Sequence, residues 1–164
     1  MRDNLTITTC SPEETQRIGA DIGKRARAGD LILLVGSLGT GKTCLTQGIA
    51  RGLGLPDYTP SPSFVLVREY QVGVPCNVPL LYHIDFYRLD DIREIAELGM
   101  SDYLDGEGIC VVEWADRALD SLPEEHLLIK FEHLAVNERR LRFEPRGQRY
   151  VGLVEELKEK WNLR

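Results

Sequence analysis

Five consecutive apolar residues, Leu31-Ile32-Leu33-Leu34-Val35, run directly into Gly36-Ser37-Leu38-Gly39-Thr40-Gly41-Lys42-Thr43. No other feature of the chain constrains its fold as much. An apolar run without polar alternation suits a strand covered on both faces, as in a largely parallel sheet. The glycine-rich stretch matches G-x-x-x-x-G-K-[ST] at every specified position. Leu45, Ile49 and Leu53 then recur every fourth residue until Gly54 and Pro56 end the pattern, which predicts a helix. Strand, loop and helix thus follow in the order that curls backbone N–H groups around phosphate oxygens and aims a helix N-terminus at them. The expected ligand is a nucleoside triphosphate, ATP with Mg²⁺. Gly36, Leu38, Gly39, Thr40 and Gly41 supply the cradle, Lys42 neutralises the β and γ oxygens, and the Thr43 hydroxyl is the expected Mg²⁺ ligand.

The rest of the chain reads as elements around that unit. Leu5 to Thr9 alternates as an extended segment does, and Ser11-Pro12-Glu13-Glu14 supplies an N-cap, a first-turn proline and a capping-box glutamate. Ile18, Ile22 and Ala26 continue that helix on one face, and Gly29 is its expected stop. The Thr-, Pro- and Ser-dense stretch from Tyr58 to Ser63 predicts a loop, with strands over Ser63 to Val72 and Val78 to Phe86. Asp91-Ile92-Arg93-Glu94 resembles a second capping box, opening a short helix that Gly99 closes. Gly108 to Trp114 is a further buried strand, and His126 to Leu134 with Arg140 to Glu144 forms a late antiparallel pair joined by a short connection. Val154, Leu157 and Trp161 stripe a terminal helix. The expectation is a single α/β domain over residues 1–164, with a mostly parallel central sheet flanked by helices and an antiparallel strand pair near its C-terminus.

Composition narrows the function classes. Hydrophobic residues at 43% and charged residues at 28% are the balance of an ordinary globular protein, and no apolar run is long enough to cross a bilayer. The N-terminus lacks a secretory pattern, so a cytoplasmic protein is expected. Cysteines at 10, 44, 76 and 110 have no C-x-x-C spacing and read as reduced, mostly buried thiols. A formal net charge of −6 opposes broad nucleic-acid binding. Arg139, Arg140, Arg142, Arg146 and Arg149 form the one positive cluster, more often a solvated strand face than a binding surface; this segment and the terminal helix are either docking surfaces or fold-closing elements.

A phosphate loop of this kind also needs a carboxylate at a neighbouring strand end to hold Mg²⁺ or its water shell. Leu80-Leu81-Tyr82-His83-Ile84-Asp85 and Ile109-Cys110-Val111-Val112-Glu113 both end an apolar run in an acid, where burial is costly without a cation. Asp85 and Glu113 are therefore the candidate metal ligands, and with Lys42 the candidate catalytic residues. His83 shares the strand face of Asp85, so it either orients that carboxylate or an attacking water or is a hydrogen-bonded structural histidine. Trp114 packs either beside the nucleotide or partner surface or in the core. Ser61 to Phe64 suits a loop that senses the γ-phosphate, or a simple Pro-rich turn.

These residues together carry a specific likeness. The phosphate loop, Thr59-Pro60-Ser61-Pro62-Ser63-Phe64-Val65-Leu66-Val67, Tyr82-His83-Ile84-Asp85-Phe86-Tyr87-Arg88-Leu89, Leu98-Gly99 with Asp102-Tyr103, and Val112-Glu113-Trp114 occur in one order, and in this the chain resembles the TsaE family. Those are ATPases of bacterial threonylcarbamoyladenosine synthesis on tRNA. The resemblance implies a P-loop NTPase-like fold, phosphate and Mg²⁺ binding by Lys42 and Thr43, metal and hydrolysis roles for Asp85 and Glu113, a switch-like loop at Ser61 to Phe64, and an approach of the helix start near Ser11 to the adenine. Ser63 stands where the family often has threonine. It also implies TsaB and TsaD as partners, with TsaD carrying out the transfer at adenosine 37 of ANN-decoding tRNAs. This chain would then hydrolyse ATP slowly to remodel or reset that complex, and would itself touch tRNA little or not at all.

Other classes remain to be weighed against this reading. A small P-loop kinase needs an acceptor pocket and an arginine-bearing lid, neither of which the sequence clearly offers. A GTPase switch needs an N/T-K-x-D segment, which is absent. A pure binding module would use the nucleotide only to order a docking surface.

Overall fold

The computed structural model describes residues 4–55, 67–72 and 80–161, and within them the phosphate loop sits at the C-terminal edge of a seven-stranded sheet. The strands are β1 (Leu5–Thr9), β2 (Leu31–Val35), β3 (Val67–Gln71), β4 (Leu80–Asp85), β5 (Ile109–Glu113), β6 (His126–His133) and β7 (Arg139–Arg146), ordered β1-β7-β6-β2-β5-β4-β3. The β6-β2-β5-β4 core is parallel. The expectation of a mostly parallel sheet is corrected at both margins, where β1 with β7 and β3 with β4 also pair antiparallel, while β6 with β7 forms the antiparallel pair expected near the C-terminus. The reason is connectivity: β6 and β7 are joined by a tight reversal, which forces antiparallel pairing, whereas parallel neighbours need a long crossover.

Helices flank this sheet: α1 (Pro12–Arg25), α2 (Lys42–Gly52), α3 (Arg93–Glu97), α4 (Met100–Leu104) and α5 (Gln148–Trp161). On one face Ile18 and Ile22 of α1, Leu45 and Ile49 of α2, and Leu153 and Leu157 of α5 pack on Ile32, Leu34, Val111, Ile129 and Phe143. On the other face Ile95, Met100 and Leu122 cover Leu33, Ile84, Cys110 and Val112. Each such side chain contributes roughly 1.5–3 kcal/mol when taken fully from water. The continuous burial of β2 and β5 is the structural counterpart of their unalternating sequences.

Helix α1 starts as its capping residues predict, with the Ser11 hydroxyl accepting from Glu14 N. It ends at Arg25, short of Gly29, because Ala26 is extended and the Asp30 carboxylate accepts from Arg27 N. Helices α1 and α2 pack backbone to backbone: a Cβ at Gly48 would lie 2.2 Å from Gln16 O, so only glycine permits that approach. Gly99, with φ +64, ends α3 as expected, but α4 follows it at once. The expected Asp91 cap is realised as an acceptor for Arg93 N, one residue ahead of the helix's own cap position. Cys10 is exposed and Cys44 intermediate, so of the three described cysteines Cys110 alone fits the expectation of buried thiols. The expected loop at Ser61 to Phe64, and Cys76, lie outside the described residues. No described helix is long and apolar enough to cross a membrane.

Candidate functional site

Three chain segments meet beyond the C-terminal ends of the parallel strands, the place where open α/β sheets bind ligands. Strand β2 delivers the loop, β4 ends in Asp85 and β5 in Glu113, and the last two are register partners. Both carboxylates are buried, Glu113 at 2% exposure and Asp85 at 5%. Gly41, in the left-handed conformation with φ +103, turns the loop into α2, and no side chain caps that helix among the described residues. Its first-turn N–H groups and dipole thus form the positive end of an anion site.

The charged side chains are arranged around that helix start. Lys42, only 5% exposed, donates from Nζ to Gly36 O at 2.6 Å and Ser37 O at 2.8 Å. Burial lowers its pKa, against the opposing fields of Glu113, Asp116 and Asp85. The Thr43 hydroxyl donates to Glu113 Oε1 at 2.8 Å, and His83 Nε2 hydrogen-bonds Glu113 Oε2. Asp85 Oδ1 accepts from Tyr87 N at 2.8 Å. His83 is thus a hydrogen-bonded histidine whose acid is Glu113; the alternative that it orients Asp85 is not what the structure shows. The β4 and β5 side chains at His83, Asp85, Val111 and Glu113 share the sheet face on which α2 lies, so His83 reaches across to the neighbouring strand's acid.

Leu38, Gly39, Gly41, Lys42, Thr43, Asp85 and Glu113 line one cavity of about 340 Å³, completed by Cys44, Tyr87 and Trp114. Of the remaining expected residues, Gly36 offers its carbonyl to Lys42, Thr40 donates to Ser37 O at 2.7 Å and shapes the loop, and Ser11 is engaged as the α1 cap. A larger groove of about 700 Å³ lies near the start of β6, by Leu122, Glu125 and Arg146. It has no phosphate-type loop, and its acids are exposed, so the chemistry favours the smaller cavity.

Trp114 lies beside the Gly36–Thr43 loop: the Lys42 ammonium stands 4.1 Å from its ring centroid and the Tyr87 ring 5.0 Å away. Its φ of +57 is left-handed, a strain of about 1–3 kcal/mol for a bulky residue that concentrates at functional sites. Tyr87 and Arg117, whose guanidinium lies 5.6 Å from the Tyr87 ring, were not singled out from sequence. The signal was available for Tyr87, which sits two residues past a strand-ending acid. Arg117 needs the fold to be placed. The arginine cluster does not form one surface: Arg140 pairs with Glu132, Arg139 donates to Gly39 O, and Arg149 leaves the strand altogether to bind buried Asp30.

A hard divalent cation fits this donor set. No group of three or more His, Cys, Asp or Glu able to hold a metal occurs among the described residues. Mg²⁺ does not require one, because it is typically held by one or two carboxylates, waters and substrate phosphates. Thr43 Oγ1, Glu113 and Asp85, beside the uncapped start of α2, are the residues that could supply that complement.

The chain is similar to known proteins over most of its length. Residues 9–141 match the sequence profile of the family described as threonylcarbamoyl adenosine biosynthesis protein TsaE. The tRNA threonylcarbamoyladenosine biosynthesis protein TsaE of Bacillus subtilis is 41% identical over 159 residues, spanning 97% of each chain. That of Treponema pallidum is 34% identical over 131 residues, 80% of this chain and 93% of that one. Among solved structures, the crystal structure of Bacillus subtilis YdiB superposes with a TM-score of 0.82 at 37% identity, covering 98% of this chain and 97% of the other.

Proposed function

Because this chain belongs to the TsaE family of threonylcarbamoyladenosine biosynthesis proteins, we propose that it is an Mg²⁺-dependent P-loop ATPase whose cycle of ATP binding and slow hydrolysis remodels or resets a TsaB–TsaD complex acting on tRNA adenosine 37. One observation carries the proposal: the Thr43 hydroxyl and Glu113 Oε1 lie 2.8 Å apart at the uncapped start of α2, with Lys42 behind them. A threonine hydroxyl directed at a buried strand-end carboxylate is the donor pair that an Mg²⁺–phosphate unit needs.

The roles follow from the contacts. The loop amides and Lys42 bind the phosphates, for which Lys42 exchanges the carbonyls of Gly36 and Ser37 for phosphate oxygens. Thr43, Glu113 and Asp85 hold the cation, directly or through its water shell. When bound, Mg²⁺ supplies positive charge against the β- and γ-phosphate oxygens. Trp114 and Tyr87 wall the cavity and limit water around Lys42. Burial of the ammonium strengthens its attraction for the charge that develops on the transferring phosphoryl group. The protein's own net charge of −6 suits docking on protein partners in the cytoplasm and not on tRNA itself.

The test is ATP hydrolysis by the purified chain, alone and with TsaB and TsaD from the same source. The proposal expects activity that rises with the partners and disappears in Lys42→Ala. Activity that ignores the partners and instead phosphorylates an added small acceptor overturns it in favour of a kinase.

A further inference from the structure

We propose that His83 is a positioning residue for Glu113, a donor that fixes one carboxylate oxygen so that the other is presented to the phosphate loop. The inference rests on the nucleotide reading above and adds a residue to it. Glu113 ends a strand, and a carboxylate there is free to turn about its side-chain torsions unless something holds it. Both oxygens are taken: Oε2 by His83 Nε2 and Oε1 by the Thr43 hydroxyl. His83 itself is fully buried in the middle of β4, so its ring is a fixed point.

The chemistry of the ring decides what kind of partner it is. His83 Nδ1 is buried and makes no hydrogen bond among the described residues. A proton on that nitrogen would be a buried donor without an acceptor, whereas a bare lone pair there is the lesser loss. The hydrogen therefore belongs on Nε2, facing Glu113. A single N–H donor at that position sets the direction of the carboxylate and leaves Oε1 turned toward Thr43. Buried partners of metal ligands act in this way, by setting the ligand's direction.

The experiment measures ADP binding by calorimetry, with and without Mg²⁺, in the wild type, His83→Gln and His83→Asn, with the thermal midpoint of each. The glutamine amide nitrogen reaches the position of Nε2, and the asparagine amide falls short of it. His83→Asn is expected to weaken the Mg²⁺-dependent part of ADP affinity by about 10-fold or more, while His83→Gln recovers most of it. Metal-free ADP affinity should be the same in all three. In a Glu113→Gln background the difference between the two His83 variants should vanish.

Equal losses in both variants, tracking their thermal midpoints, would show that His83 serves packing alone and would overturn the inference. So would a difference that persists once Glu113 is gone. A wild type whose ADP affinity ignores Mg²⁺ overturns the nucleotide reading itself, and this inference with it.

Discussion

Two groups of buried acids sit in this molecule and are satisfied in opposite ways. Asp21 and Asp30, 3% and 4% exposed, are matched by cations: Asp30 accepts from Arg149 Nε and Nη2 at 2.9 and 2.7 Å, and Asp21 from Lys160 and from the Trp161 indole. Those contacts tie α5 to α1 and to the β2 entrance. Glu113 is equally buried, but its partners are a threonine hydroxyl and a histidine, while the nearby ammonium of Lys42 is spent on its own loop's carbonyls. A buried charge whose cation belongs to the protein fastens the fold. One whose direct partners are a hydroxyl and an imidazole, beside an uncapped helix start, fits a site whose cation comes with a ligand.

Substitutions at the two groups should therefore part stability from binding. The largest effect is expected at Asp30→Ala, which takes from Arg149 its carboxylate and leaves it only the Arg25 carbonyl, and should cost about 3 kcal/mol in urea denaturation. Its ADP affinity should stay within about twofold, since the sites are distant and share no partner. Glu113→Ala reverses the pattern: hydrolysis in the presence of partners should fall about 100-fold, with a smaller stability loss than Asp30→Ala shows. A Glu113 variant that unfolds as readily as the Asp30 variant would erase the distinction. Trp161→Phe removes one neutral donor from Asp21 while Lys160 stays, and about 1–2 kcal/mol of stability should go with it.

The smallest effect concerns a buried acid of another kind. Burial pushes the Cys110 thiol up from 9.0 to about 12, and burial likewise raises Tyr82 and Tyr150. A raised folded-state pKa favours the protonated form, so this contribution is complete below the unfolded value near 9 and is lost as pH climbs toward about 12. Between about pH 8 and 10 Cys110 should account for roughly 1 kcal/mol of lost stability, measured as a fall in urea midpoint that Cys110→Ala lessens.

What the sequence disclosed was local. β2, the phosphate loop and α2 follow from contiguous residues, the cap at Ser11 from a four-residue pattern, and the α5 stripe from its spacing; each lies where expected, although α1 stops earlier. Pairings that close over long separations were not legible. Nothing near Leu5 announces that β1 joins β7 from Arg139 onward, and nothing near Asp30 announces Arg149. The site divides along the same line. Alternation places His83 and Asp85 on one face, but the β4–β5 register decides which acid His83 meets, and that register is a property of the assembled sheet. Trp114 was placed by its neighbourhood to Glu113, while its left-handed backbone and its position over Lys42 emerge only in three dimensions.

The central claim, that the loop from Gly36 to Thr43 binds an Mg²⁺–nucleotide, is tested most directly by calorimetric titration of ADP into the wild type and Lys42→Ala, each with and without Mg²⁺. The account predicts saturable binding that Mg²⁺ strengthens in the wild type and that Lys42→Ala abolishes. Binding of equal strength in both proteins, or none in the wild type at any Mg²⁺ concentration, would contradict it.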